Sequence, residues 1–380
     1  MNNRIMVTTA DIGLAHIYRA LAVAKRLEQD GYEIHLCLSR RNCKIAKENG
    51  FHNLYPVQGM SWVENEYGVD AIRSAANILL PTRDKDSVIR EFISQYRSIR
   101  DYMLRINPKL LVSDGCIPTL RVSKRWKKDS VFITNVIRPR YPWYLQIPTK
   151  IPQYLAEQYM KASLEIMFAD LPPKKAISLY NLGNPSSFNN LRFVGSFIDM
   201  KRPSGIKDEK FIYVMSSGTP KNRERFFRKI SPLLDQYCRR SGYTWKMSLG
   251  LPLGLMKKTE LHEVYGYVDP ETKERFQREC SLILHNGSHL ICFEAISKEK
   301  PSLIVPTKHQ LEQEANAKRM QELDLAVCVE EKDLETKLSQ AIGIMDERKD
   351  SFSAKLRELR EYAERLDGVE TTVKDIESFV

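Results

Sequence analysis

The 380-residue sequence predicts an α/β protein with two parallel sheets, one in each half of the chain. In the first half, a β-rich run at residues 4–7 precedes a helical pattern at 16–29 and a second apolar run at 33–38. In the second half, residues 281–317 read as strand, glycine turn, helix, strand, polar loop and helix. Both stretches are βαβ units, whose strands pair in parallel because the crossover helix returns the chain to the same end of the sheet.

The turn after the first strand of residues 281–317 has the features of an anion site. Gly287 permits a close backbone approach, and Ser288 offers an N-cap oxygen and a hydroxyl donor. The helix begins just past the carboxyl end of the strand, so its free N–H groups and its dipole point at the turn. Glu294 lies within two turns of the helix start, where a carboxylate can accept hydrogen bonds from a ribose. The pattern favours a phosphate with an attached ribose.

The polar loop after the second strand completes a family pattern. It carries Glu312 and Gln313, which a simple connection does not need. Together these elements resemble the C-terminal domain of the GT-B glycosyltransferases, in particular the family 28 type that includes the peptidoglycan N-acetylglucosaminyltransferase. The shared elements are Gly287, Glu294, Lys300-Pro301, Glu312-Gln313 and Asn316-Ala317. The chain departs from the pattern at Ser288, where a glycine is usual, and at Ile291, where a threonine is usual.

A second resemblance lies near the start of the chain. Residues 13–21 resemble the G-L-G-H-x-x-R-x-L opening of many GT-B sugar transferases, with Ala15 in place of a glycine. A predicted strand ends at Asp114. Because the carboxyl ends of parallel strands share one edge, His16 and Asp114 can meet in a cleft. The resemblance implies that His16 removes the proton of an acceptor hydroxyl and that Asp114 orients the imidazole, a side chain that titrates near neutrality as such a base must.

The resemblance implies a GT-B fold, in which two Rossmann-like domains face each other across a cleft. It also implies a metal-independent, inverting transfer of a sugar from a nucleotide donor, a UDP-sugar, to a hydroxyl acceptor, with no cofactor. The expected division is an N-terminal acceptor-binding domain at 1–195, a linker at 196–208, a C-terminal donor-binding domain at 209–350, and a last helix at 351–380 that packs back on the first domain.

The donor site follows from the same family pattern. Its expected residues are Ser217, Gly218, Tyr267, Val268, Gly287, Ser288, His289, Glu294, Glu312 and Gln313. Within this set, the backbone near Tyr267 and Val268 reads the nucleobase, and Glu312 with Gln313 holds sugar hydroxyls. His289 either lends an N–H group to a phosphate or packs at the helix start.

The positive charge of the chain lies in its first half. Residues 1–195 carry 28 Lys and Arg against 17 Asp and Glu, whereas residues 196–380 carry 31 of each. Such a surface attracts an anionic bilayer, a lipid-phosphate acceptor or a nucleic acid. We therefore expect a lipid or lipid-linked glycan as acceptor and peripheral contact with an anionic membrane.

Residues 138–150 interleave cations and aromatic rings that suit a membrane interface. Arg138 and Arg140 alternate with Tyr141, Trp143 and Tyr144, and the prolines of this stretch disfavour a regular helix. The segment could equally stack on the bases of a single strand, and the simplest alternative is a packed loop. We group these five residues with Arg19 as acceptor or membrane residues, although Arg19 could instead tie the first helix to the cleft or hold a diphosphate.

Other features place the chain in a reducing compartment. No apolar run approaches the ~18 residues of a spanning helix, and the start of the chain lacks the apolar region of a signal peptide. The seven cysteines include no C-x-x-C pair, and no set of side chains has the spacing of a metal site. We expect a cytoplasmic protein, peripheral on the inner face of the cell membrane.

Two other functions compete with sugar transfer. Nucleotide-sugar epimerases and sugar-nucleotide hydrolases use the same two domains and similar openings. A nucleic-acid-binding protein would exploit the basic first half, but it leaves Glu294 and Gln313 without a role. We therefore expect a nucleotide-sugar and no nucleic acid as partner.

Overall fold

The computed structural model describes residues 3–11, 13–60, 63–65, 68–83, 85–141, 143–201, 204–205, 207–250 and 254–380. Two sheets of seven strands each follow one another along the chain. Both are dominated by parallel pairs, which confirms the predicted fold class.

The first sheet and its helices occupy residues 4–193. The strands are β1 (Arg4–Thr9), β2 (Glu33–Ser39), β3 (Leu54–Val57), β4 (Glu64–Asn65), β5 (Gly68–Val69), β6 (Leu110–Asp114), β7 (Ser130–Thr134), β8 (Glu165–Phe168) and β9 (Leu191–Phe193). The helices are α1 (Ala15–Gln29), α2 (Arg40–Glu48), α3 (Ala71–Asn77), α4 (Val88–Ile106), α5 (Ile117–Trp126), α6 (Trp143–Met160) and α7 (Leu179–Leu182), with a 3-10 turn at Pro185–Ser187. The spatial order is β3-β2-β1-β6-β7-β8-β9, and β4 and β5 form a separate pair.

The second sheet and the helices that follow it along the chain occupy residues 209–379. The strands are β10 (Glu209–Met215), β11 (Thr244–Ser248), β12 (Leu255–Lys258), β13 (His262–Tyr265), β14 (Cys280–His285), β15 (Ser302–Ile304) and β16 (Ala326–Cys328). The helices are α8 (Pro220–Ser241), α9 (Pro270–Glu279), α10 (His289–Ser297), α11 (Leu311–Glu322), α12 (Leu334–Glu347), α13 (Lys349–Ala363) and α14 (Gly368–Phe379), with a 3-10 turn at Glu331–Asp333. The order is β12-β13-β11-β10-β14-β15-β16, and β12 pairs antiparallel with β13.

The apolar pattern of the first βαβ unit accounts for its packing. Every residue of β1 except Arg4 is buried, as expected for a parallel strand covered on both faces. Helix α1 buries Ile17, Leu21 and Ala24 against the sheet, and their spacing places them on one helical face. The carboxyl ends of β1 and β6 lie side by side, with Thr9 beside Asp114. The loops after these two strands therefore meet at one edge of the sheet.

The end of the chain crosses back to the first sheet as two helices, whereas the sequence suggested one. Helix α13 packs on α10 of the second half, and α14 packs on α1 of the first half. The crossing is close, because a Cβ at Gly195, where φ is +89°, would lie 2.3 Å from the Leu366 carbonyl oxygen. The Gly368 N–H donates to the Ser196 carbonyl at 2.9 Å. These contacts tie the two halves together at the base of the cleft.

The expectation that residues 138–150 avoid a regular helix is wrong for most of the segment. Helix α6 runs through Pro148 and Pro152. A proline removes one backbone hydrogen bond and kinks a helix, but flanking turns can hold the helix together when its outer face reaches solvent. The side chains of Trp143 and Tyr144 lie outside the described part of the structure.

Candidate active site

A cavity of about 510 Å³ lies between the two sheets, at the carboxyl ends of their strands. The residues from the first half that line it include His16 and Arg19, on the loop and helix that follow β1. The second half lines it at the turns after β10, β13 and β14 and at the start of α11. Most of the predicted site residues border this cavity: His16, Arg19, Ser217, Gly218, Tyr267, Val268, Ser288, His289, Glu294, Glu312 and Gln313.

His16 and Asp114 meet as the sequence predicted. The His16 Nδ1 atom lies 2.6 Å from Asp114 Oδ1, with the carboxylate wholly buried and the imidazole 18% exposed. Gly115 makes this approach possible, because a Cβ there would lie 2.9 Å from His16 Cε1. An ionised Asp114 can only accept, so Nδ1 carries the proton and donates it. In the neutral imidazole with this tautomer, His16 Nε2 keeps a lone pair that can accept a proton.

Arg19 also holds the Asp114 carboxylate. Its Nε donates to Oδ2 at 2.5 Å and its Nη2 donates to Oδ1 at 2.6 Å, a two-point ion pair. Burial alone raises the pKa of Asp114, but the charge and hydrogen bonds of Arg19, with the hydrogen bond to His16, outweigh it and leave this pKa below its ordinary value. Arg19 is only 6% exposed, so it reaches the cleft and not a membrane surface.

The turn after β14 is shaped by Gly287. Its φ is +83°, and a Cβ on it would lie 2.8 Å from the Gln313 carbonyl oxygen. The turn and the start of α11 can therefore lie this close to each other only with glycine at residue 287. The Gly287 N–H donates to His285 Nδ1 at 3.1 Å, and burial lowers the pKa of His285 to about 3, which keeps that nitrogen an acceptor. Ser288 is the N-cap residue of α10, but its side chain makes no capping hydrogen bond. The first turn of α10, residues 288–291, lines the cavity, and free N–H groups at such a helix start can bind an anion.

Glu294 already has partners in the structure. Lys273 Nζ donates to its Oε1 at 2.5 Å, and Gln277 Nε2 donates to its Oε2 at 2.9 Å. Each carboxylate oxygen has a second lone pair, so both oxygens can still accept a hydroxyl. Lys273 also lines the cavity and was missed in the sequence, because nothing in a charged helical stretch distinguishes the one lysine that faces inward.

The polar loop at the start of α11 is tied to both sheets. Asn135, which follows β7 of the first sheet, donates to Glu312 Oε1 at 3.0 Å. Gln313 Oε1 accepts the Thr307 N–H at 3.0 Å, which fixes the bend of the loop. Gln313 Nε2 lies 3.4 Å from Ser217 Oγ, at the turn after β10. Asn135 is a cleft residue that sequence analysis missed, since it belongs to no shared motif.

His289 pairs with the first half of the chain and so is not free for a phosphate through Nε2. That nitrogen lies 3.1 Å from Asp170 Oδ2. Asp170 is fully buried and also accepts backbone N–H groups of Leu171, Ile177 and Ser178. Such a saturated carboxylate is a fixed anchor, so the His289 pair holds the domains together across the cleft. Of the two roles considered for His289, the packing role agrees with this geometry.

The nucleobase and acceptor residues differ in their placement. Tyr267 is half exposed beside the cavity, and Val268 is buried next to it. Arg138 is paired with Glu157 at 2.6 Å, and Arg140 lies over the Tyr180 ring. Burial raises the pKa of Tyr141. These acceptor residues do not border the cavity, so any contact with an acceptor would lie outside it.

Within the residues that the structure describes, no group of three or more His, Cys, Asp or Glu side chains could hold a metal ion. None of their helices combines the length and the apolarity needed to cross a membrane.

Comparison with known proteins agrees with this geometry. Residues 257–367 match the model of the glycosyltransferase family 28 C-terminal domain. The chain is similar in structure to the kitacinnamycin glycotransferase, with a TM-score of 0.72 and 14% identity over 100% of this chain and 99% of that chain. It is similar to MurG of Acinetobacter baumannii, with a TM-score of 0.61 and 13% identity over 99% of each chain. It is also similar to SsfS6 of Streptomyces sp. SF2575 in complex with thymidine diphosphate, with a TM-score of 0.64 and 12% identity over 99% of each chain.

The chain has the GT-B fold of these glycosyltransferases, and its residues 257–367 belong to the glycosyltransferase family 28 C-terminal domain. At such low identities the solved structures define the fold, and the family model defines the class of the second half. No curated protein matches the sequence. The class predicted from the two sequence motifs is confirmed.

Proposed function

We propose that the protein transfers a sugar from a nucleotide donor, a UDP-sugar, to a hydroxyl acceptor with inversion at the anomeric carbon. The observation that carries the proposal is the His16–Asp114 pair in the cleft, opposite the turn that starts α10. A base oriented by a buried carboxylate and an anion site on the facing domain are the two parts that this chemistry needs.

In the proposed reaction, His16 Nε2 takes the proton of the acceptor hydroxyl. The acceptor oxygen then forms a bond to the anomeric carbon from the face opposite the leaving group. The bond between that carbon and the diphosphate oxygen breaks, and the diphosphate leaves with the electron pair. The N–H groups and dipole of α10 stabilise the developing negative charge, so the proposal requires neither a metal ion nor a cofactor.

The donor contacts follow from the same arrangement. Glu294, held in place by Lys273 and Gln277, would accept hydroxyls of the ribose. Glu312 and Gln313 would hold sugar hydroxyls at the start of α11, next to the acceptor domain. A structural neighbour was solved with thymidine diphosphate, which supports a pyrimidine nucleoside diphosphate as the leaving group here.

Calorimetric titration with UDP tests the donor part, with GDP and dTDP as controls for the base. We expect micromolar binding of UDP to the wild type and its loss in Glu294→Ala, because the ribose hydroxyls lose their acceptor. Failure of all three nucleotides to bind the wild type would refute the donor site. If free sugar is released without an acceptor as fast as transfer occurs, the protein is a hydrolase, and if a UDP-hexosamine is converted to its 2-epimer, it is an epimerase.

We further propose a lipid or lipid-linked glycan as acceptor, met at the inner face of an anionic membrane. Helix α6 supports this, because its apolar side chains at Ile147 and Ile151 are 85% and 71% exposed, and Tyr154 and Leu155 on the same stripe are exposed too. The helices α4, α5 and α6 pack side by side. The segment that contains them, residues 88–161, carries 14 Lys and Arg against five Asp and Glu.

Sedimentation with anionic vesicles at low salt tests this membrane face. We expect the wild type to co-sediment and the double variant Ile147→Ser, Ile151→Ser to bind less, since apolar contact and charge act together. Leu255→Ser is the matched control, because Leu255 is an exposed apolar residue of the second half. Equal sedimentation of the wild type and the double variant would exclude α6 as the membrane face.

A further inference from the structure

Arg223 is a buried cation in the cleft that the proposed reaction does not yet use. It lies in the first turns of α8, is 7% exposed and lines the cavity between the sheets. Its Nη1 donates to the Gly250 carbonyl at 3.1 Å. Its Nε is buried and has no hydrogen-bond partner among the residues that the structure describes. One of its donors is therefore unused within that part of the chain.

No carboxylate in the described part of the chain pairs with Arg223. Burial is the main cause that lowers the pKa of its guanidinium, and the like charge of Arg41 lowers it further. A buried charge lowers the stability of the fold unless it is paired with an opposite charge. When one member of a buried pair is removed, the charge that remains is strongly destabilising. An arginine kept under these conditions is expected to have its partner on a ligand.

The position of Arg223 is built into the backbone. Gly250 follows β11 with φ at +64°, and a Cβ on it would lie 1.9 Å from Arg223 Nη1. A side chain at residue 250 would therefore expel the guanidinium from its place. Gly250 thus leaves the space in which the Arg223 guanidinium is buried, which a solvent-exposed arginine would not need.

The surroundings of Arg223 favour an anion with more than one charge. Helix α8 begins at the same turn, capped by Thr219, so its N-terminal dipole also points toward the cavity wall formed by Ser217 and Gly218. Arg41 of the first half lies across from Arg223 and is held by the Asp11 carboxylate at 3.0 Å and the Gly13 carbonyl at 3.3 Å. The positive ends of α8 and α10 and the guanidinium thus converge on one space, a set that suits a phosphate better than a single carboxylate.

We propose that Arg223 is an anion-binding residue of the cleft that takes a phosphate group entering between the two domains. The inference rests on the proposed function for the source of that phosphate, which is either the diphosphate of the donor or a phosphate carried by the acceptor. In both cases the planar fork of the guanidinium donates to the phosphate oxygens through the nitrogen that now lacks a partner.

Calorimetry on the full-length protein tests the inference with pyrophosphate, UDP and uridine as probes. For a donor phosphate, Arg223→Met should weaken binding of pyrophosphate and UDP tenfold or more and leave uridine binding unchanged. For an acceptor phosphate, the same variant should keep its UDP affinity but lose binding of inorganic phosphate to the UDP-saturated protein. Arg228→Met is the matched control, since Arg228 lies on the same helix in an exposed pair with Glu224. It should match the wild type in every titration.

Unchanged affinities of Arg223→Met for all of these anions would overturn the inference. Thermal unfolding distinguishes an anion-binding role from a structural one. If Arg223 were structural, its replacement would lower the melting temperature of the ligand-free protein and leave the rise in melting temperature produced by pyrophosphate intact. We expect the reverse: the ligand-free variant melts no lower than the wild type, and the pyrophosphate shift is lost. If the wild type binds pyrophosphate but not UDP, the proposed donor fails while Arg223 is still tested by the pyrophosphate arm.

Discussion

Replacement of Arg19 by methionine should make the stability of the protein depend on pH in a defined direction. The wild-type guanidinium makes two short hydrogen bonds to Asp114, which is fully buried. Arg19→Met keeps the length and the apolar stem of the side chain but removes the charge. Among the residues that the structure describes, Asp114 is then left with His16 as its side-chain partner.

The size of the effect follows from the burial of this pair. Loss of one partner of a buried ion pair costs about 3–5 kcal/mol, because the other charge stays uncompensated. Typical domains are stable by only about 5–15 kcal/mol, so the variant should be folded but clearly weakened near pH 7.

The pH dependence has a definite sign. In the wild type the pKa of Asp114 is depressed, so its stabilising effect exists above the pKa of an unfolded aspartate and is lost as the pH falls through the folded value. In Arg19→Met the burial of Asp114 dominates and raises its pKa. The contribution of Asp114 to stability then increases, instead of decreasing, as the pH falls. Asp114 then takes up a proton on folding, and the cost of the substitution shrinks as the pH falls.

Chemical unfolding followed by circular dichroism, at about pH 7 and about pH 5, measures this difference. The variant should lie well below the wild type at the higher pH and closer to it at the lower pH. Arg26→Met is the control, because Arg26 lies on the same helix as Arg19 and its pairs with Asp30 and with Glu370 of α14 are partly exposed, so its loss should change stability little at either pH. A loss for Arg19→Met that is equal at both pH values would refute the reasoning.

Two further predictions concern the cleft. His16→Ala should reduce the rate of sugar transfer by about 10²- to 10⁴-fold without changing UDP affinity, as measured by transfer kinetics and calorimetry, and normal transfer would remove His16 as the base. Gly287→Ala should lower the free energy of unfolding by about 1–3 kcal/mol and abolish UDP binding, because the new Cβ meets the Gln313 carbonyl and the backbone is held at φ +83°. The control is Gly343→Ala, which lies in open space within α12 and should change neither stability nor UDP binding.

The sequence predicted those parts of the site that depend on topology. His16 and Asp114 are 98 residues apart, yet they meet because each lies just beyond or at the carboxyl end of adjacent parallel strands. The glycine turn before α10 could be found for the same reason, since a helix must start where a buried strand ends. Such features need only the order of the elements and the rule that parallel strands share one edge.

The parts that were missed depend on side-chain direction. Lys273 and Glu294 belong to different helices, and nothing in either helix indicates that the two side chains converge. His289 was correctly placed at the turn, but the direction of its ring, toward Asp170, is set by how the two domains dock. Arg223 gave no signal because an arginine in a basic helix is usually a solvated one. Contacts made across a domain boundary have no local sequence pattern.

Helix α11 connects the two domains at both of its ends, and this bears on how transfer can be controlled. Near its start, Glu312 accepts a hydrogen bond from Asn135, whose amide oxygen lies 3.4 Å from Arg19 Nη1. Near its end, Arg319 donates to the carbonyls of Lys174 and Ala176 in the first domain. The segment proposed to hold the donor sugar is therefore fixed to the domain that carries His16, the proposed base. A displacement of α11 relative to the first domain would therefore have to break both the Asn135 contact and the Arg319 contacts.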